Sequence, residues 1–201
     1  MSFENKFHHR SIHLKDYDYS SAGAYFVTIC AHNRDCLFGE IINGEMMLDD
    51  AGKMIERCWL EIPDYYQSVE LDEFIMMPNH FHGIIVITDS VVAESISAHC
   101  CKTNSISQNR LDIESIPTKS LNTKIPWKGL TEIIQTFKRY TTIEYNKMVK
   151  MNIFLPFNKT VWQRNYYEHI ICDESDLRRI RDCIVNNPAR WQDDEENPFH
   201  L

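Results

Sequence analysis

The amino-acid sequence predicts an α+β fold, a ferredoxin-like antiparallel sheet with helices packed on it. Apolar, β-branched segments of strand length recur along the 201 residues, separated by segments with helical periodicity. Two of the strand segments are joined by a short Met-Pro-Asn connection, which suits an antiparallel pair. About four antiparallel strands interleaved with helices form a sheet that the helices cover. The ferredoxin-like topology is the simplest arrangement of this kind.

The first half of the chain contains a central strand, a hairpin and a helix. Residues 24–31 are apolar almost throughout, as in an inner strand. An Asn43-Gly44 turn joins two short strands within residues 37–48. Asp49 and Asp50 offer N-caps for a helix that Pro63 is expected to close. The apolar positions of that helix, which share one face, are Met54, Ile55, Cys58, Trp59 and Ile62.

The second half contains two more strands, a long helix and a final pair of elements. Residues 69–77 and 80–88 predict adjacent strands, and residues 127–151 predict a helix. One further extended segment lies within residues 160–171. Asp173 then caps a last helix, which stops at Asn187-Pro188. The buried stripe expected on the long helix comprises Leu130, Ile133, Ile134, Phe137, Ile143 and Met148.

We expect a single domain over residues 1–201, with a flexible insertion at residues 89–126. The insertion is rich in Ser, Asn, Thr and scattered charges, so it cannot bury enough apolar area to offset the entropy of ordering it. A structureless segment of this length does not belong inside a compact core.

The composition predicts a cytoplasmic protein with reduced thiols and no membrane partner. No apolar run reaches the roughly 18 residues of a membrane span, and the polar N-terminus has no signal-peptide core. The 7 cysteines are irregularly spaced, so a disulfide framework or a zinc ribbon is not expected.

The charge is acidic overall but unevenly distributed. A net charge of −8 argues mildly against a nucleic-acid partner, since phosphate binding usually leaves a basic footprint. The run Asp193-Asp194-Glu195-Glu196 is expected to be a solvated tail. Basic residues gather instead within residues 138–150 and 164–181, so a local basic face can coexist with the acidic total.

Residues 76–87, Met-Met-Pro-Asn-His-Phe-His-Gly-Ile-Ile-Val-Ile, carry the most chemical information. Side chains alternate along a strand, so His80 and His82 share one face, about 7 Å apart, while Phe81 points to the other. Two such imidazoles can converge on one divalent cation if a further ligand joins them. The alternative is a pair of structural or exposed histidines, because His-x-His by itself is a common pattern.

Residues 77–87 resemble the HUH motif of the REP-associated tyrosine transposases, the insertion-sequence-200-like, single-tyrosine branch of the HUH nucleases. Similar segments occur in the family's order at residues 17–20, 23–29, 69–74, 162–171 and 181–191. The resemblance extends from about residue 10 to residue 191, except for the segment 89–126. It implies an HUH nuclease scaffold.

The resemblance also implies a function, which is binding of single-stranded DNA hairpins with metal-dependent cleavage and strand transfer through a covalent 5′-phosphotyrosine. His80 and His82 would hold Mg²⁺ or Mn²⁺, which polarises the scissile phosphate. The family's third ligand lies one helical turn after the tyrosine, where this chain has Asn187. A plain helix stop before Pro188 is the alternative role of Asn187. A homodimer is a further partner that the wider superfamily suggests, although REP-associated members can be monomeric.

Cys183 occupies the position of the attacking tyrosine. A thiolate is a poor match for phosphodiester transesterification and would leave an unstable thiophosphate link. The alternative function is therefore a catalytically impaired protein that binds DNA hairpins. A ferredoxin-like metal-binding or RNA-binding module is the remaining alternative, and it sets the resemblance aside.

Two groups of residues are predicted to contact DNA. One offers cations to phosphates from the long helix, and the other combines an arginine with aromatic rings on which bases can stack. The alternatives are a solvated helix face and ordinary strand packing. The two groups are Lys138, Arg139 and Lys147, and Arg164, Tyr166 and Tyr167.

Overall fold

The computed structural model of the protein describes residues 21–88 and 129–199. The insertion expected at residues 89–126 lies outside the described residues. Along the chain the elements are β1 (Gly23–Cys30), β2 (Gly39–Ile42), β3 (Glu45–Leu48), α1 (Asp50–Leu60), α2 (Ile62–Tyr65), β4 (Val69–Met76), β5 (His80–Ile87), α3 (Leu130–Lys150), β6 (Tyr167–Ile171) and α4 (Glu174–Val185). Short 3-10 helices cover His32–Arg34 and Pro188–Asp193.

Four strands form the main sheet, in the order β4-β5-β1-β6. Each neighbouring pair is antiparallel. With α1 between β1 and β4, and α3 between β5 and β6, this is the βαββαβ arrangement of a ferredoxin-like sheet. The predicted α+β class and antiparallel sheet are confirmed. The β2–β3 hairpin pairs separately around the predicted Asn43-Gly44 turn.

The two faces of the sheet are covered by different helices. Tyr25, Val27 and Ile29 of β1 belong to the large core that α1 and α3 complete. Side chains alternate along a strand, so Phe26 points to the opposite face. There it joins a smaller apolar cluster with Ile180 of α4. One face therefore holds the main core, and the other lies beneath the last helix.

The first helix is built as the sequence predicts, except at its end. Asp49 caps it by accepting a hydrogen bond from the backbone N–H of Gly52 at 2.8 Å. The five apolar side chains expected on its buried face are all buried. The helix ends at Leu60, however, and Pro63 lies in the first turn of α2. Proline lacks a backbone N–H, and the first turn of a helix does not need one.

The buried stripe of α3 differs from the expected one. Ile143 is 44% exposed, while Thr141 and Tyr145 are buried. Positions 137, 141 and 145 are spaced by four residues and stay on one face, whereas position 143 falls on another. Thr141 tolerates burial because its hydroxyl donates to the Phe137 carbonyl at 2.8 Å and accepts from Trp162 Nε1 at 2.8 Å.

Gly83 allows a tryptophan to lie against the histidine strand. Trp59 of α1 is fully buried and packs on Phe81, with ring centroids 4.4 Å apart. A Cβ atom at Gly83 would lie 2.6 Å from Trp59 Cζ2 and 2.7 Å from Phe81 Cε1. The glycine after the second histidine is therefore required by packing on the α1 face, not by the chemistry on the other face.

Candidate metal centre

His80 and His82 lie on β5, an inner strand, and share the face that α4 covers. In the register with β1, His82 lies opposite Thr28 and His80 lies opposite Cys30. The His82 ring stacks on Phe26, with centroids 5.4 Å apart and planes 24° apart. Because Phe26 belongs to the cluster beneath α4, that cluster supports the second imidazole from one side.

The two imidazoles face each other through the same ring nitrogen. His80 Nε2 and His82 Nε2 are 3.0 Å apart. The Asp194 carboxylate comes next to them, with Oδ2 at 3.8 Å from His80 Nε2. One ligand atom from each of the three residues lies within 4.8 Å of the others, so the group could hold a metal ion. His80 is fully buried, whereas His82 and Asp194 are partly exposed.

Asn79 fixes which nitrogen of His80 carries the proton. Its amide Nδ2 donates to the carbonyls of Arg34 at 3.1 Å and Glu196 at 2.6 Å. The amide oxygen then faces His80 Nδ1 at 2.9 Å, and an amide oxygen can only accept. Nδ1 must therefore carry the hydrogen, which leaves a lone pair on Nε2 of the neutral ring. Metal-bound histidines commonly donate their second N–H to an oxygen acceptor in this way.

Thr28 has a similar position beside the second histidine. Its Oγ1 is 2.8 Å from His82 Nδ1, and the residue is buried in the neighbouring strand. A hydroxyl can accept the Nδ1 hydrogen, which would leave the His82 Nε2 lone pair facing that of His80. Two lone pairs at this separation repel each other unless a proton or a cation lies between them.

The donor set fits a divalent ion. Two nitrogens bound at right angles to one ion, each at ~2.1 Å, would lie about 3.0 Å apart, as these two do. Two imidazoles and one carboxylate suit Mn²⁺ and other first-row metals better than Mg²⁺, which prefers oxygen ligands. Burial and the nearby Glu196 raise the pKa of the Cys30 thiol far above its ordinary value, so this neighbour does not compete as a thiolate.

Asp194 is the site residue that the sequence analysis missed. The acidic run was expected to be a solvated tail, and that expectation is wrong. Glu196 is only 4% exposed and its carboxylate pairs with Arg34 at 2.9 Å. No periodicity or motif marks these contacts, because they join parts of the chain more than a hundred residues apart.

Asn187, the third ligand that the resemblance implies, precedes the second 3-10 helix. Its side-chain Oδ1 is buried and has no hydrogen-bond partner among the described residues. A buried amide oxygen without a partner is uncommon, and a bound cation would supply one. Its role as a ligand stays a prediction, while a carboxylate from Asp194 is the group that meets the two histidines.

Cys183, at the position of the family's tyrosine, is a half-buried free thiol on α4. The adjacent Ile184 packs in the cluster that contains Phe26, the ring on which His82 stacks. Helix α4 contains no tyrosine over Glu174–Val185. The catalytic role of this position stays a prediction.

The residues predicted to contact DNA on α3 have different environments. Lys138 Nζ donates to the carbonyls of residues 163 and 165 at 3.1 and 2.9 Å, and it lies over the Tyr166 ring. Burial lowers the pKa of Lys138 to about 8. Arg139 is exposed, and Lys147 pairs with Glu144 at 2.6 Å on the helix surface. Lys138 therefore has a structural role, whether or not it also contacts phosphate.

The second predicted group surrounds the start of β6. Arg164 is exposed. The Tyr166 hydroxyl is 3.2 Å from Thr131 Oγ1 on α3. Tyr167 packs edge-on against Phe26, at 6.4 Å, and lies opposite Thr28 in the sheet. Of the two tyrosines, Tyr167 is therefore on the face that carries the histidines.

Among residues 21–88 and 129–199, no helix has both the length and the apolar composition needed to cross a membrane.

The described residues define a ferredoxin-like α+β domain with a candidate metal centre of two histidines and a carboxylate. No family model matches the chain. An uncharacterized protein of Haemophilus influenzae is 40% identical over 190 residues, which are 94% of this chain and 92% of that protein. The chain belongs to the same family as this protein.

One solved structure, a REP-associated tyrosine transposase bound to a REP hairpin, has a similar arrangement. It matches with a TM-score of 0.48 and 14% sequence identity, over 84% of this chain and 68% of that one.

Proposed function

We propose that the protein binds single-stranded DNA hairpins at a divalent metal ion held by His80, His82 and Asp194. The convergence of their three ligand atoms within 4.8 Å supports this proposal most directly. The two histidines also stand in the segment, residues 77–87, that resembles the HUH motif. The resemblance implies a metal site at these two histidines, and their ligand atoms converge there. Two unrelated surface histidines would not be expected to converge in this way.

A divalent ion bound here would withdraw negative charge from a phosphate oxygen of the DNA. The protein's own residues prepare the site for that contact. Asn79 holds His80 with its Nε2 lone pair directed at His82, and Thr28 holds the Nδ1 side of His82. Since His82 and Asp194 are partly exposed, a phosphate can approach from their side.

Two exposed arginines, Arg164 before β6 and Arg139 on α3, are available for contact with DNA phosphates. Lys138 donates hydrogen bonds to the carbonyls of residues 163 and 165, on either side of Arg164. These hydrogen bonds fix the backbone around Arg164, which reduces the backbone entropy that the segment loses when it binds DNA. The exposed Arg139 lies next to Lys138 on α3.

Binding without cleavage is the form of this function that the residues favour. The 5′-phosphotyrosine route needs a tyrosine on the last helix, and α4 has Cys183 instead. Binding surfaces and metal ligands can persist without the nucleophile, because they contribute separately.

The first test compares hairpin binding and covalent adducts. Fluorescence polarisation with a set of labelled single-stranded hairpins should show binding that weakens as salt rises. Binding should be stronger with Mn²⁺ than with EDTA, and His82→Ala should remove that difference. Denaturing gels should show no covalent adduct for the wild-type protein, whereas Cys183→Tyr should form one with Mn²⁺. Cys172→Tyr, on an exposed cysteine before α4, is the matched control.

Two outcomes would contradict this proposal. If no hairpin in the set binds more tightly than an unstructured strand of the same length, hairpin recognition is wrong. If the wild-type protein forms an adduct that Tyr167→Phe abolishes, the nucleophile lies on β6 and the protein is a cleaving enzyme.

The second test concerns the metal itself. The apparent Kd for Mn²⁺ should be at least about 10-fold lower than that for Mg²⁺, because two of the three donors are imidazoles. Equal affinities, or tighter binding of Mg²⁺, would contradict the assignment of both histidines as ligands. Competition calorimetry with a chelator measures the two constants.

A further inference from the structure

We propose that Arg34 is a positioning residue that holds the Asp194 carboxylate at the metal centre. The inference rests on the proposed metal site and adds to it a residue that does not touch the ion. Arg34 follows β1 in the chain, in the 3-10 helix His32–Arg34. Its guanidinium reaches the C-terminal segment that carries Asp194.

The Asp194 carboxylate is oriented by the residues that follow it. Its Oδ1 accepts a hydrogen bond from the backbone N–H of Glu196 at 2.7 Å, and its Oδ2 is the oxygen that faces His80. With one oxygen held by the backbone, the other is directed at the histidines. The position of Glu196 therefore decides where the ligand oxygen lies.

Arg34 holds residues 195 and 196 through two separate contacts. Arg34 Nε pairs with Glu196 Oε2 at 2.9 Å, and Nη1 donates to the Glu195 carbonyl at 2.8 Å. The Arg34 side chain therefore contacts both a carboxylate and the backbone of this segment. The Glu196 side chain is 5% exposed, so its charge depends on a close cationic partner.

The backbone at Arg34 is also unusual. Asn33 and Arg34 have φ angles of 57° and 59°, in the left-handed region that non-glycine residues seldom adopt. Such a conformation persists where surrounding contacts determine it. Asn79 supplies one, since its amide donates to the Arg34 carbonyl as well as to the Glu196 carbonyl. The same amide also holds His80, so one set of contacts fixes both ligands.

A double-mutant cycle distinguishes a positioning role from general stabilisation. Mn²⁺ binding is measured without DNA, from the electron paramagnetic resonance signal of the free ion. Four proteins are compared: wild type, Arg34→Met, Asp194→Ala and the double variant. Arg57→Met, which removes the guanidinium of an exposed ion pair on α1, is the matched control.

We expect Arg34→Met and Asp194→Ala each to weaken Mn²⁺ binding about 10-fold or more, as loss of an outer contact or a ligand does. The double variant should bind no more weakly than Asp194→Ala, because Arg34 acts through that carboxylate. Arg34→Lys should be intermediate, since an ammonium can pair with Glu196 but lacks the fork that also reaches the Glu195 carbonyl. Arg57→Met should bind like the wild type.

Two results would overturn the inference while leaving the metal centre in place. One is wild-type affinity in Arg34→Met while His82→Ala abolishes binding. The other is an equal weakening by Arg34→Met with and without Asp194, which would show a general structural effect. If the wild-type protein itself binds no Mn²⁺, the proposed function fails together with this inference. Circular dichroism of each variant shows whether it is folded.

Discussion

Replacing Asn79 with alanine would remove the contacts that set the proton position on His80. Asn79 is fully buried and makes hydrogen bonds to the Arg34 carbonyl, the Glu196 carbonyl and His80 Nδ1. A buried N–H left without an acceptor costs about 1–3 kcal/mol, and each lost amide–carbonyl bond costs about 1 kcal/mol. We therefore expect the free energy of unfolding to fall by about 3–5 kcal/mol. For a chain of this size that corresponds to a decrease in Tm of about 6–20 °C.

The same change should weaken metal binding. Without the Asn79 oxygen, the His80 hydrogen is free to move to Nε2, the atom that would bind the ion. The expected loss of Mn²⁺ affinity is about 10–100-fold. Asn79→Asp keeps an acceptor for His80 but loses both donors, so it should destabilise the fold while retaining more of the metal affinity than alanine does.

Urea unfolding with EDTA present measures the stability, and the free Mn²⁺ signal measures the affinity. Asn186→Ala is the matched control, because that exposed amide makes one hydrogen bond, to the Asp182 carbonyl. The reasoning is refuted if Asn79→Ala is destabilised as expected yet binds Mn²⁺ as tightly as the wild type. The His80 proton would then not be set by this contact.

Two further predictions concern the sheet. Gly83→Ala should lower stability by about 1–3 kcal/mol, because its Cβ would lie 2.6 Å from Trp59 Cζ2. Gly23→Ala, whose Cβ would meet nothing closer than 3.5 Å, should be near neutral, and equal urea midpoints for the two variants would contradict the packing argument. Arg181 donates to Asp72 at 2.8 Å and holds the pKa of that carboxyl below its usual 3.8. The ion pair therefore stabilises the protein above about pH 5. Its contribution is lost as the pH falls through the folded-state pKa of Asp72. Asp72→Asn should therefore lower the free energy of unfolding at pH 7 by less than about 1 kcal/mol, given the exposure of Arg181, and the difference from the wild type should shrink as the pH is lowered towards 2; an unchanged difference would contradict the assignment.

Local patterns in the sequence were sufficient to predict the elements of the fold. The apolar run of β1, the Asn43-Gly44 turn and the Asp49 and Asp173 caps all depend on neighbours within a few residues. Alternation along β5 likewise put His80 and His82 on one side. Predictions that needed tertiary information were less successful. Ile143 was expected in the core because it is apolar, but it lies on an exposed face of α3. Thr141 is buried instead, and its hydroxyl accepts a hydrogen bond from Trp162 Nε1.

The candidate site could be predicted only in part, for a similar reason. The histidine pair is local, whereas Asp194 comes from an irregular segment that owes its place to Arg34 and Asn79. Charge composition alone suggested a solvated tail, since four consecutive acidic residues usually remain in water. Here one of the four is buried against a guanidinium, and another faces the imidazoles.

The origin of the ligands has a consequence for the segment that carries Asp194. His80 and His82 belong to a rigid inner strand, while Asp194 belongs to a segment more than a hundred residues later. An ion shared by the three would act as a cross-link between the sheet and that segment, and it would offset repulsion among adjacent carboxylates. Cross-links that join distant parts of a chain restrict it most when it is unfolded. The metal would then control how firmly the segment around Asp194 is attached, and limited proteolysis within that segment should slow when Mn²⁺ is added.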